Sequence, residues 1–203
     1  MAHIPDGVLS LPVLAAGGIV AVAAIGISLR RLGHDDIPRT AVLSASFFVA
    51  SLIAVPIGPG SVHPLLNGLM GLVLGWAAVP AIAVSLILQM VFFGFGGLTS
   101  LGVNIVNMSL PAILVAYTVR PWLRHRAGRR SAAVAGAGAA AIGVAGTGLL
   151  VALSLALSDP AYLAASQVIA LTYLPLLIVE AAITAAVASF LSRVAPEMLG
   201  REP

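Results

Sequence analysis

Long apolar runs, broken only by short polar loops, constrain this chain more than any other feature. Of its 203 residues, 60% are hydrophobic and 8% charged, and the mean hydropathy is +1.10. Soluble domains carry about 25% charged residues. No soluble fold of this size covers so much apolar surface with so few charges, so the chain reads as an integral membrane protein. Barrel strands would alternate in polarity over about 10 residues. Runs dominated by Leu, Ala, Val, Ile and Gly point instead to an all-α bundle of about seven transmembrane helices.

The same composition excludes several classes of function. Cysteine is absent, so a metal site must use nitrogen or oxygen ligands. The isoelectric point near 10.2 would suit nucleic acid, but every basic side chain is arginine and the arginines cluster in short loops, as in membrane proteins. The chain has neither a GxxxxGK[ST] loop nor any lysine, so it holds no candidate for a phosphate-loop lysine. The first arginine, Arg30, follows the first apolar segment, so no cleavable signal is expected.

Apolar segments are predicted at Leu11–Leu29, Thr40–Ile57, Val103–Val119, Ser131–Leu157 and Tyr162–Leu191. The stretch Leu65–Phe93 is too long for one ordinary span and short for two. Gly75-Trp76-Ala77-Ala78-Val79-Pro80 offers a turn in its middle, with a Trp suited to an interface. Arginine resolves the ambiguity. With the N-terminus outside and two crossings, Arg30, Arg31, Arg39, the loop bearing Arg120 to Arg130, Arg193 and Arg201 all fall inside. One crossing would set the first three against the rest. Each crossing receives roughly 15 to 17 residues, which predicts short, tilted or partly re-entrant helices around a buried site. The chain is then one transmembrane domain over 1–203, with an N-terminal segment at 1–10, outer loops at 58–64 and 94–102, and a basic cytoplasmic loop at 120–130. The N-terminus is outside and the C-terminus cytoplasmic. His3 and His63 share the outer side, while His34 and His125 lie inside among arginines.

His3 stands beside the amino terminus. An amine, a backbone amide and an imidazole chelate a divalent metal, and an all-nitrogen set tends to planarity, which suits Ni(II) or Cu(II). With Met1 kept, an Xaa-Xaa-His terminus fills four positions by itself. With Met1 removed, the usual outcome before Ala, the set is the Ala2 amine, the His3 amide and the His3 imidazole, and His63 can take the open position. The second case is favoured. By spacing alone such a His is more often an ordinary terminal residue; the shared side with His63 strengthens the metal reading. Pro5 and Gly7 suit a tight turn, and Asp6 is expected to orient an imidazole or cap the first helix.

At these residues the sequence resembles the CbiM/NikM family, the substrate-binding membrane components of energy-coupling-factor transporters for cobalt and nickel. The resemblance begins at His3-Ile4-Pro5-Asp6-Gly7 and continues at Gly60-Ser61-Val62-His63-Pro64. It is clearest over Leu88–Met108, where LQMVFFGFGGLTSLGVNIVNM is similar to the family's LQ-x4-GHGGLTTLGAN-x4-M pattern. Val179-Glu180-Ala181 resembles a Glu-containing motif of the last helix. The resemblance implies a metal site of Ala2, His3 and His63, with Ni(II) or Co(II) as transported ligand and no resident cofactor. It implies as partners a coupling membrane subunit, two cytoplasmic ATPases and, as an optional addition, a small accessory membrane subunit. Two departures matter: the extra residue before His3 fits only if Met1 is lost, and Phe95 stands where many members have His, which puts any role of that position in guiding metal in doubt.

Other polar residues are read against packing roles. Gln89, Asn104 and Asn107 are expected to hydrogen-bond neighbouring helices, or to hold the metal loop; Asn104, directly after the Gly-rich loop, is best placed for the latter. Glu180 is expected in the inner part of the last segment, far from both outer histidines, serving a structural hydrogen bond or a partner contact. Gly136, Ala140, Gly143 and Gly146 permit close helix packing or the docking of a partner. The leading expectation is metal capture as a non-enzymatic subunit of an ATP-driven uptake transporter. The alternatives are a stand-alone proton-coupled permease using Glu180 or Asp159, and an intramembrane metalloenzyme with Asp6 as its only nearby acid.

Overall fold

A computed structural model describes residues 3–53, 55–57, 60–126 and 128–200. Its helices are α1 (Leu11–Arg31), α2 (Ile37–Ala50), α3 (Asn67–Leu74), α4 (Ala78–Phe93), α5 (Leu101–Arg124), α6 (Arg129–Ser158) and α7 (Leu163–Val194). Between α2 and α3 the backbone forms a short antiparallel hairpin, β1 (Val55–Ile57) with β2 (Gly60–Val62). Among the described residues, five stretches are long and apolar enough to cross a membrane: α1, Asn67–Phe93, α5, α6 and Tyr173–Val194. Their outward faces carry exposed Ile19, Val22, Val91, Leu149 and Ile178, as expected where the solvent is lipid. Apart from that hairpin the molecule is thus a helical, multi-pass membrane protein.

Helix directions follow from which residues meet. A Cβ on Gly71 would collide with the backbone of Ala112, one on Gly75 with the guanidinium of Arg120, and Asn67 donates to the Met108 carbonyl. α3 therefore runs alongside α5 in the same direction. α4 returns. The Ser85 hydroxyl of α4 bonds Ser44 of α2, and at its far end Phe93 stacks on Phe48. The reversal falls at Gly75–Ala77, where Gly75 has φ +61° and the Trp76 ring packs against Arg31 and donates to Tyr117. The expected turn inside Leu65–Phe93 is present, and α3 is its re-entrant half. At about 1.5 Å per residue, its eight residues cover about 12 Å, less than half of a hydrocarbon core.

This arrangement gives the molecule two unlike ends. The described arginines all belong to one end: the last turn of α1, the start of α2, the last turns of α5, the start of α6 and the end of α7. The N-terminal segment, the hairpin, the Gly-rich loop and the α6–α7 turn form the other.

Three segment boundaries need correction. The second apolar segment leaves the helix at Ala50 rather than Ile57, because the Ser51 hydroxyl turns back to the Phe48 carbonyl and the hairpin takes over. α5 extends beyond Val119, so Arg120 and Arg124 are helical and the expected basic loop contracts to its residues after Arg124. Pro111 is tolerated within α5 because Gly146 of α6 leaves room against its ring. The tail after Arg193 is not simply polar: Pro196–Leu199 forms a helical turn that buries Leu199.

α3 is buried along its whole length. Small residues make this possible. Gly68 packs on the Ala139 backbone, Gly143 on Asn67 and Gly68, and Gly136 on Thr184 and Ala185. Backbones approach closely wherever a side chain would intervene, the usual way membrane helices associate. Gly136, Ala140 and Gly143 thus serve internal packing.

Candidate metal centre

The N-terminal segment is fastened to the body of the protein one residue at a time. Asn104, near the start of α5, grips the backbone of Ile4 with both ends of its amide: the Ile4 N–H donates to Oδ1 at 3.0 Å, and Nδ2 donates to the Ile4 carbonyl at 3.0 Å. The Ser100 hydroxyl donates to the same carbonyl at 2.6 Å. Ile4 and Leu9 pack with Val103, Val151 and Leu155 in a small apolar cluster. Asp6 neither orients an imidazole nor caps α1. It accepts from the backbone N–H groups of Leu98, Thr99 and Ser100 and from the Thr99 hydroxyl, the donors of the turn that leads into α5. These bonds, the Thr99 hydroxyl foremost, hold its carboxyl below the usual carboxylate range. The Gly-rich loop fits this docking. A Cβ on Gly97 would strike the Asp6 carboxylate, and Gly96, at φ +80°, passes close to Asn104 and His3.

Fastened in this way, His3 meets His63. The two rings lie 5.0 Å apart at 24° to one another, and each residue is 6% exposed. Phe95 closes the group, with its ring 6.1 Å from His3 and 6.3 Å from His63, nearly parallel to both. Phe95, whose role in guiding metal the sequence puts in doubt, stands as an apolar wall beside the two imidazoles. His63 Nδ1 lies 3.2 Å from the Pro64 carbonyl. As donor there, it leaves the lone pair on Nε2. That Nε2 and the Nε2 of His3 are buried with no partner. Unpartnered buried ring nitrogens side by side are unfavourable unless something fills the space between them.

Burial is the main cause of a lowered pKa at both imidazoles. It acts with the neighbouring His63 to bring His3 down to about 3, and it also lowers His63 although the Pro64 carbonyl opposes it. Both rings are therefore neutral at pH 7, the form that binds metal. Among the described residues no group of three or more His, Asp, Glu or Cys converges. Two imidazoles alone would be a poor metal site. Ala2, the expected amine donor, lies outside the described residues.

The remaining polar residues fall elsewhere. Asn107 faces α6, where it accepts a bond from Ser154, and Gln89 is fully buried with no side-chain partner. Glu180 corrects an expectation. It is not remote from the outer histidines: its carboxylate accepts from the N–H groups of Leu65 and Leu66, two and three residues beyond His63. No sequence signal links residues 115 positions apart, and only the re-entrant course of α3 joins them.

Known proteins resemble this chain in sequence and in fold. The family described as cobalt uptake substrate-specific transmembrane region, CbiM, matches residues 3–198. A Haemophilus influenzae protein named for metal transport is 41% identical over 98% of this chain and 97% of its own length. The fused nickel transport protein NikMN of Rhodobacter capsulatus is 38% identical over 65% of this chain and 38% of its own length. A crystal structure of a transition metal transporter superposes with a TM-score of 0.71 at 26% identity, covering 95% of this chain and 93% of that one. A truncated transition metal transporter gives 0.69 at 24% identity, a likeness of fold.

Proposed function

The chain belongs to the CbiM family of cobalt-uptake transmembrane proteins, and from that premise we propose that it captures Ni(II) or Co(II) between its N-terminal segment and His63. The observation that carries the reading is the docked pair: two buried, neutral imidazoles 5.0 Å apart, with His63 Nε2 buried and unpartnered. The Ala2 amine, exposed by loss of Met1, the His3 amide nitrogen and His3 Nδ1 form fused chelate rings on one ion. His63 Nε2 supplies the fourth nitrogen. Four nitrogens in a plane favour Ni(II). Asn104, Ser100 and Asp6 hold the backbone so that the two imidazoles meet before metal arrives.

Capture takes place at the outer face of the cell membrane, with the arginine end in the cytoplasm. The chain carries no phosphate-binding lysine, so release inward depends on separate subunits: two ATPases, a coupling membrane protein and, where present, a small accessory membrane subunit. A permease working alone would need a titratable carboxylate in the membrane. Glu180 is committed to backbone N–H groups, which favours the subunit reading.

The test is titration of the purified chain with Ni(II), with His63→Ala alongside. Wild type binds one equivalent, and His63→Ala loses about 10- to 100-fold in affinity, on the scale of an outer supporting residue or more. Equal affinity would remove His63 from the site.

A further inference from the structure

We propose that Glu180 of α7 is the positioning residue for His63. The inference rests on His63 being a metal ligand, and it concerns how that ligand is held.

Immediately after His63 the chain has an unusual task. It must pass from the hairpin into α3, which begins within the membrane rather than at its surface. The first N–H groups of any helix lack intrahelical partners, and at this depth no water satisfies them. The residue at the head of α3 is Leu66, with φ +47°, the only described non-glycine residue in the left-handed region, and its side chain supplies no cap. A left-handed leucine persists only where its surroundings over-determine the backbone. Glu180 does this. Its carboxylate is 1% exposed; Oε1 accepts from both Leu65 and Leu66, and Oε2 accepts from Leu66 at 3.2 Å. The carboxylate oxygens also face the positive end of α3. Asn67 locks the following residue to Met108 of α5 and Thr147 of α6.

His63 therefore depends on a chain of contacts. Its Nδ1 is oriented by the Pro64 carbonyl, and Pro64 adjoins the two residues whose N–H groups Glu180 holds. Without the carboxylate, Leu65 and Leu66 must find other acceptors, the left-handed turn relaxes, and His63 Nε2 leaves its place beside His3. The His3 half of the site, fastened by Asn104 of α5 and by Asp6 accepting from the turn before α5, does not pass through these contacts.

The experiment is a double-mutant cycle on Ni(II) affinity in the full chain, with Glu180→Ala, Glu180→Gln, His63→Ala and the Glu180 variants in the His63→Ala background. Glu180→Ala is expected to weaken binding by about 10- to 100-fold. Glu180→Gln, which keeps one acceptor oxygen but turns a donor toward Leu66, is expected to fall between. In the His63→Ala background neither substitution should weaken binding further, which a general loss of packing would not produce. If Glu180→Ala does not yield folded protein, Glu180→Gln carries the same two readouts. Unchanged affinity in Glu180→Gln and Glu180→Ala, or losses that multiply with that of His63→Ala, would overturn the proposal. Wild-type affinity in His63→Ala itself would break the metal reading beneath it.

Discussion

At the scale of single residues, the site is built from groups whose contacts lie far away in sequence. His3 and His63 were legible because imidazoles are scarce in this chain and because topology set them on one side. Asn104 was legible as support for the metal loop, but its two-handed grip on Ile4 was not, since nothing in an asparagine's position announces which backbone it holds. That Phe95 packs on both imidazoles was not legible, because the position was read only against a histidine there and not against the rings it touches. The lowered pKa of His3 gives a pH dependence. In the undocked segment His3 titrates near 6.5, and when docked near 3. Protons thus bind the undocked form preferentially, and docking weakens as pH falls from about 6.5 toward 3. The protection of the Ile4 amide from hydrogen exchange, relative to an unstructured amide at the same pH, should fall over this range, with the fall reduced in His3→Phe. Protection that stays constant from pH 7 to pH 4 would contradict the assignment.

At the scale of elements, α3 decides the architecture. The sequence exposed its presence as an arithmetic problem, a stretch too long for one crossing and too short for two, and arginine placement required the reversal at Gly75. It did not disclose that α3 would be entirely enclosed, because periodicity cannot distinguish a lipid-facing apolar helix from a buried one. The glycines carry that information. A Cβ on Gly71 meets Ala112 Cα at 2.9 Å, in backbone that cannot yield cheaply, whereas one on Gly26 of α1 meets nothing within 4 Å. Gly71→Ala should destabilise the protein by about 1–3 kcal/mol, and Gly26→Ala should be neutral or slightly stabilising. Thermal unfolding in detergent separates the two, and equal melting temperatures would contradict the packing of α3 on α5. The end of α2 was overextended for a related reason: the apolar residues after Ala50 continue the hydropathy of the helix while Ser51 ends it.

For the whole molecule, the two ends divide the work. On the proposed reading the arginine end faces the cytoplasm and its partner subunits; the histidine end holds the docked N-terminal segment against the Gly-rich loop. α5 connects them. Its first turns fasten His3 through Asn104 and its last turn carries Arg120 and Arg124. This polarity followed from the distribution of charge alone. The joining of α7 to the metal loop through Glu180 did not, since it exists only in the folded bundle. The central claim is that the amino terminus itself is a ligand. The direct measurement is Ni(II) titration of the purified chain with a free Ala2 amine beside the same chain acetylated at that amine. One equivalent of tight binding, abolished by acetylation, is the expected result. Undiminished binding by the acetylated chain would contradict the account.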